Sequence, residues 1–89
     1  MITSSITISN KLGLHARASA KLTKLAGSFP CDVFLTRNGR RVNAKSIMGV
    51  MMLAAGLGSD VEIETNGAQE EEAMTALRAL FDDKFGEGS

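Results

Sequence analysis

Asn38-Gly39 stands between two short runs that alternate polar and apolar residues, and this arrangement dictates an antiparallel hairpin. A two-residue turn of the hairpin type needs positive φ at both central positions, which Asn and Gly accept at little steric cost. On its N-terminal side, Cys31 to Thr36 sets Val33 and Leu35 against Asp32, Phe34 and Thr36, and on its C-terminal side Arg40 to Asn43 pairs back. The same period of two recurs twice more. Ser5 to Ser9 places Ile6 and Ile8 on one face, which Ile2 continues, and Asp60 to Thr65 turns Val61 and Ile63 inward before Asn66-Gly67 reverses the chain.

Between these strands the period changes to that of a helix. From Ala16 the chain is rich in helix formers, with Ala18, Leu22, Leu25 and Ala26 on one stripe, and Gly27-Ser28 followed by Pro30 stops it. A short apolar helix is predicted over Ile47 to Leu53, broken by Gly56 and Gly58. The last helix opens on Glu70-Glu71-Glu72, where negative charge favours the positive end of the dipole, and repeats Ala73, Met74, Leu77, Leu80 and Phe81. The order is β-α-β-β-α-β-α, an α+β fold with three helices on one face of a four-stranded antiparallel sheet.

At 89 residues the chain is one small domain, expected over residues 1–85, with residues 86–89 as a loose, flexible tail. Its interior is needed for packing, so function is expected on the surface and no cofactor is expected. Cys31 is the single cysteine and forms no internal disulfide. The first residues carry no basic segment ahead of a long apolar run, and Ile47 to Leu57 is too short to span a bilayer, so the cytoplasm is the expected location. Net charge is zero but uneven. Residues 1–45 hold eight Lys/Arg against one acid, and residues 46–89 hold two against nine. The two readings are an ordinary solvated surface and a basic face for an acidic partner, a phosphate or a nucleic acid.

The single histidine, His15, lies in Gly13-Leu14-His15-Ala16-Arg17, where a loop becomes a helix. One reading makes it a plain helix-entry residue. The other rests on the opening turn of a helix, whose unpaired N–H groups and partial positive charge suit an anion. Arg17, two residues on, has a guanidinium able to meet phosphate oxygens, and Gly13 lets the loop approach closely. A nucleophile beside an anion cradle is an arrangement for covalent phosphoryl transfer. One His and one Cys cannot make a zinc site of the usual ligand set, so no metal is expected, and no Gly-rich Lys-Ser/Thr loop for ATP is present.

Gly13-Leu14-His15-Ala16-Arg17 and the alanine-rich helix after it resemble the active-site motif of the HPr family, the histidine-containing phosphocarriers of the bacterial phosphotransferase system. Asn43-Ala44-Lys45-Ser46-Ile47-Met48-Gly49-Val50-Met51 resembles the family's second motif. The resemblance implies an open-faced β-sandwich. It also implies that enzyme I, charged by phosphoenolpyruvate, phosphorylates His15 on Nδ1 with the help of Arg17. An EIIA domain of a sugar permease then receives the group, and no independent turnover is expected. Many family members have proline directly after that arginine, where this chain has Ala18. Alanine is the better helix former, so the chemistry is expected to survive.

The family's partner surface is apolar around the histidine. Leu14, Ile47, Met48 and Met51 are the matching docking candidates, with Lys24, Lys45 and Arg17 as a basic rim. Ser46 is an N-cap candidate, and the resemblance adds that some bacteria phosphorylate this serine through an HPr kinase/phosphorylase. A monomer is expected, with neither membrane insertion nor a nucleic-acid partner. Three alternatives stay open: a nitrogen-branch phosphocarrier paralogue, a non-catalytic regulatory module using the same surface, and a small RNA-binding domain using Arg37, Arg40 and Arg41. The last lacks strand aromatics on which bases stack.

Overall fold

Alternation and turn chemistry place four strands and three helices in the expected order. The structure, a computed structural model, describes residues 1–87. In chain order the elements are β1 (Ile2–Thr7), α1 (Ala16–Gly27), β2 (Asp32–Arg37), β3 (Arg40–Asn43), α2 (Ile47–Met52), β4 (Asp60–Asn66) and α3 (Glu70–Asp82). A 3₁₀ turn, Lys84–Gly86, follows α3. Asn38 and Gly39 both take positive φ, at 50° and 80°, as the tight hairpin requires.

The four strands form one antiparallel sheet in the order β1-β4-β2-β3. Ile63 of β4 lies opposite Ser4 of β1 on one side and Leu35 of β2 on the other. The register brings Ile6, Val33, Leu35, Val61 and Ile63 to one face, where they are buried under the helices. α1 packs on α2 and α3, and α3 also lies against β1 and β4. Ala18, Leu22 and Ala26 of α1 and Ala73, Met74, Leu77 and Phe81 of α3 complete the core. The other face of the sheet is open. There Phe34 is covered by the Arg41 guanidinium, 3.7 Å from the ring centroid, and Arg41 also donates to Glu64 Oε2 at 2.8 Å.

After α3 the backbone reverses through three residues in the left-handed region, Lys84 (φ 54°), Phe85 (φ 55°) and Gly86 (φ 76°). Side-chain-bearing residues there cost about 1–2 kcal/mol each. Burial of Phe85 against Phe81, edge to face with ring centroids 5.0 Å apart, offsets this by roughly 2–3 kcal/mol. Lys21 Nζ donates to the Phe85 carbonyl at 2.6 Å and fixes the turn to α1. The expected loose tail over residues 86–89 is therefore docked in its first two residues, Gly86 and Glu87, while 88 and 89 lie outside the described residues. Among the described residues no helix is long and apolar enough to cross a membrane.

Candidate functional site

The loop between β1 and α1 is fixed by its backbone before any functional side chain is placed. Leu14 N–H donates to the Ala55 carbonyl at 2.8 Å, and Ile8 exchanges bonds with Gly58 and Ser59. Gly13 takes φ 64°, and a Cβ there would fall 2.5 Å from the Ala55 oxygen and 2.6 Å from the Gly56 Cα. Only glycine lets the two loops meet. Asn10, fully buried, braces the turn by donating from Nδ2 to the Gly13 carbonyl at 2.8 Å.

His15 is the N-cap of α1. Its backbone is extended, and its Nδ1 accepts from the Arg17 N–H at 3.2 Å, the task that a Ser or Asp oxygen performs at an ordinary cap. The first helical bond runs from Ser19 N–H to the His15 carbonyl at 2.8 Å, so the N–H groups of Ala16, Arg17 and Ala18 come before the helical ladder begins. These donors and Nδ1 therefore share one end of the helix, a place suited to an anion attached to that nitrogen. Ala18 is wholly buried in the first turn, in the core stripe of α1.

The other ring nitrogen is occupied. Nε2 lies 2.5 Å from Glu87 Oε2, and Asn10 Nδ2 donates to Glu87 Oε1 at 3.1 Å. The Asn10 amide first, then the His15 ring and the charge of Lys21, hold the Glu87 carboxyl below the usual carboxylate range. The His15 side chain keeps 27% exposure and Glu87 13%. Lys11, Leu12, Arg17 and Lys21 line an open groove around this pair, which gives part of the basic N-terminal half a common location.

Arg17 is exposed beside His15, and its guanidinium is positioned by no bond among those described. Lys24 is exposed further along α1. Lys45 is half-buried and donates to the Phe29 carbonyl at 2.9 Å, so part of its charge is spent within the fold. Ser46 is exposed and caps α2, accepting from Gly49 N–H at 3.2 Å. Of the apolar docking candidates, Met48 is 70% exposed and Met51 and Ile47 are exposed to a lesser degree. Leu14 is corrected: at 6% exposure it belongs to the core, because the Gly13–Ala55 approach draws its backbone inward. Leu12, Met52 and Leu57 are exposed instead, and the sequence reading did not single them out.

The hairpin arginines are engaged within the fold. Arg37 donates to the Leu53 carbonyl at 3.1 Å and Arg40 to the Met52 carbonyl at 3.4 Å, closing the C-terminal end of α2, while Arg41 is held by Glu64 and Phe34. Such internal use removes the main support for an RNA-binding reading.

A family model described as the PTS HPr component phosphorylation site matches residues 2–83. The chain belongs to the HPr family. Its relatives include the phosphocarrier protein HPr of Cupriavidus necator, 66% identical over 88 residues and covering 99% of both chains. The HPr of Neisseria meningitidis is 58% identical with the same coverage. Among solved structures, an HPr from Thermoanaerobacter tengcongensis superposes with a TM-score of 0.95 at 42% identity, covering 98% of each chain. HPr membership makes the chain a phosphocarrier of the phosphotransferase system and accounts for both sequence motifs.

The residues that sequence reasoning missed are Asn10 and Glu87. Asn10 lies in the connection between β1 and α1 and Glu87 in the expected tail, and no local pattern singles out either. The available signal was Phe85-Gly86: a large apolar residue four positions after Phe81, followed by a glycine, marks a chain that turns back onto its helix.

Proposed function

We propose that this HPr chain accepts a phosphoryl group on His15 Nδ1 from phosphorylated enzyme I, in the cytoplasm, and delivers it to an EIIA domain. The observation that carries this reading is the placement of Nδ1 over the open first turn of α1, with the Arg17 N–H pointing at it. In the free protein that N–H bonds the nitrogen lone pair at a long 3.2 Å, a contact easily given up to an incoming phosphorus. Once the N–P bond forms, the N–H groups of Ala16 and Arg17 and the exposed cation of Arg17 face the phosphoryl oxygens, as a helix N-terminus faces any anion. Such stabilisation must be moderate, because a carrier has to release what it accepts.

Ile47, Met48 and Met51 form the apolar part of the docking surface, joined by Leu12 and Met52, and Arg17, Lys24 and Lys45 give it a basic rim. Flexible methionines suit a surface that receives donor and acceptor in turn. Leu14 acts from beneath, by fixing the loop. Ser46 is proposed as a regulatory site: a phosphate there keeps the cap on α2 while adding about −2 of charge beside Ile47 and Met48.

The test is incubation of the purified chain with phosphoenolpyruvate and enzyme I, followed by intact mass. One acid-labile phosphoryl group is expected on the wild type and none on His15→Ala. No gain with either a sugar-branch or a nitrogen-branch enzyme I would overturn the carrier reading. Gain only with the nitrogen-branch enzyme would move the chain to that circuit.

A further inference from the structure

Resting on the carrier reading above, we propose that Glu87 is a positioning residue of the phosphoryl transfer, holding the His15 proton on Nε2 so that Nδ1 is the nucleophile and the imidazole can leave neutral. Two independent observations lead to it. The first is the hydrogen-bond pattern of the ring. Nδ1 accepts from a backbone N–H, which requires a lone pair there, so the ring proton belongs on Nε2, where Glu87 Oε2 receives it at 2.5 Å. The second is the backbone that delivers the carboxylate. Lys84, Phe85 and Gly86 are successive left-handed residues, two of them carrying side chains, and the turn is held by burial of Phe85 and by the Lys21 bond to its carbonyl. Strain of this kind is maintained where a geometry is needed, and here the next residue is Glu87. The carboxylate is itself oriented from behind by buried Asn10, whose other contact fixes the Gly13 turn of the histidine loop. Ring, carboxylate and amide therefore form one chain of hydrogen bonds, Asn10 to Glu87 to His15.

The transfer balances without moving a proton. The Nδ1 lone pair forms the N–P bond while the bond from phosphorus to the donor breaks and leaves with the donor. The ring, now bonded to phosphorus at Nδ1 and hydrogen at Nε2, carries positive charge next to the Glu87 anion. On delivery the N–P electrons return to Nδ1, and the imidazole departs neutral with its Nε2 proton still in place. A carboxylate behind a histidine acts in this way in hydrolytic triads, orienting the ring and stabilising its cationic form without itself becoming protonated. Where a second group orients a functional histidine, its loss lowers activity by roughly 10–100-fold.

The full chain is compared as wild type, Glu87→Gln, Glu87→Ala and Glu87→Asp, in two measurements. Proton NMR of the free protein is expected to show a downfield, slowly exchanging Nε2–H resonance of His15 in the wild type. This resonance should be lost to exchange in both Glu87→Gln and Glu87→Ala, because the single amide oxygen of Gln stays with Asn10 and only its NH2 donor faces Nε2–H. Acceptance from phosphorylated enzyme I is expected to slow by about 10–100-fold in both Glu87→Gln and Glu87→Ala, with Glu87→Asp recovering part of the rate. Glu87→Gln is the decisive variant, because its amide oxygen still accepts from Asn10 and so preserves a merely structural contact. A Glu87→Gln chain that accepts at the wild-type rate overturns the proposal. So does a Glu87→Ala chain that accepts faster, which would make the carboxylate an obstruction. A wild type that shows the Nε2–H resonance but takes no phosphate overturns the carrier reading instead, and the role of Glu87 in the reaction falls with it.

Discussion

A Cβ on Gly13 would stand 2.5 Å from the carbonyl oxygen of Ala55, the same oxygen that accepts from Leu14 N–H. The histidine loop is therefore held by a contact whose closeness no other residue permits. Gly13→Ala combines a left-handed φ with a backbone clash, and a loss of about 2–5 kcal/mol is expected. Denaturant midpoints read the loss, and the His15 ring resonances should shift with it.

Phe85→Ala removes a fully buried ring that also pins the left-handed turn. It should cost about 3–5 kcal/mol of stability. Because Glu87 then has no fixed approach to His15, acceptance from enzyme I should fall as in Glu87→Ala, at a temperature where the variant is still folded by circular dichroism.

Arg17→Ala leaves the helix and the His15 cap bond in place, since that bond comes from the backbone N–H. Transfer should slow on the order of 10²-fold, the scale for removing one donor to a developing anion. Arg17→Lys should restore only part of the rate, because an ammonium lacks the planar fork that meets two phosphate oxygens. Rapid-quench kinetics with phosphorylated enzyme I decides both.

Ser46→Ala loses the bond to Gly49 N–H and should cost about 1 kcal/mol, confined to α2. Ser46→Asp keeps an oxygen cap and should hold that stability while slowing acceptance from enzyme I. Equal rates for Ser46→Asp and wild type would remove Ser46 from the regulatory reading.

The docking of Glu87 depends on pH with a defined sign. Asn10 and His15 lower its folded pKa from an ordinary value of 4.5. The stabilisation is thus fully present above that ordinary value and is lost as pH falls through the lowered folded value. Glu70, lowered by the Gly67 N–H and the N-terminal ammonium, adds to the loss in the same direction. An acid titration followed through the Asn10 side-chain amide should show its Glu87 contact released below the ordinary carboxylate range, and Glu87→Gln should abolish that step.

Local signals made most of the fold legible. Asn38-Gly39 placed the hairpin, Val33 and Leu35 marked the core face, and Glu70 opened α3 where its acids meet the helix dipole. The motif around His15 and Arg17 was legible for the same reason, since capping and helix entry are written within a few residues. What the sequence did not reveal depends on distant contacts. Leu14 sits beside the histidine in an exposed-looking loop, yet its burial is decided by Ala55, some forty residues on. Glu87 meets His15 across a separation of 72 residues, and only the left-handed turn at Phe85 makes that meeting possible.

The pairing of β1 with β4 sets when this protein can begin to work. Ile2 lies opposite Thr65, and β4 is also the partner that β2 needs on its inner side. As the chain leaves the ribosome, the hairpin of β2 and β3 is the one piece of sheet that can close early. β1 has to wait, unpaired, until nearly three quarters of the polypeptide has emerged. The loop carrying His15 waits with it, because its anchors at Ala55 and Ser59 come just before β4. Contacts so distant in sequence slow the search for the native state. They also leave a nascent or truncated chain that lacks Ala55 and Ser59 without the bonds that hold the His15 loop.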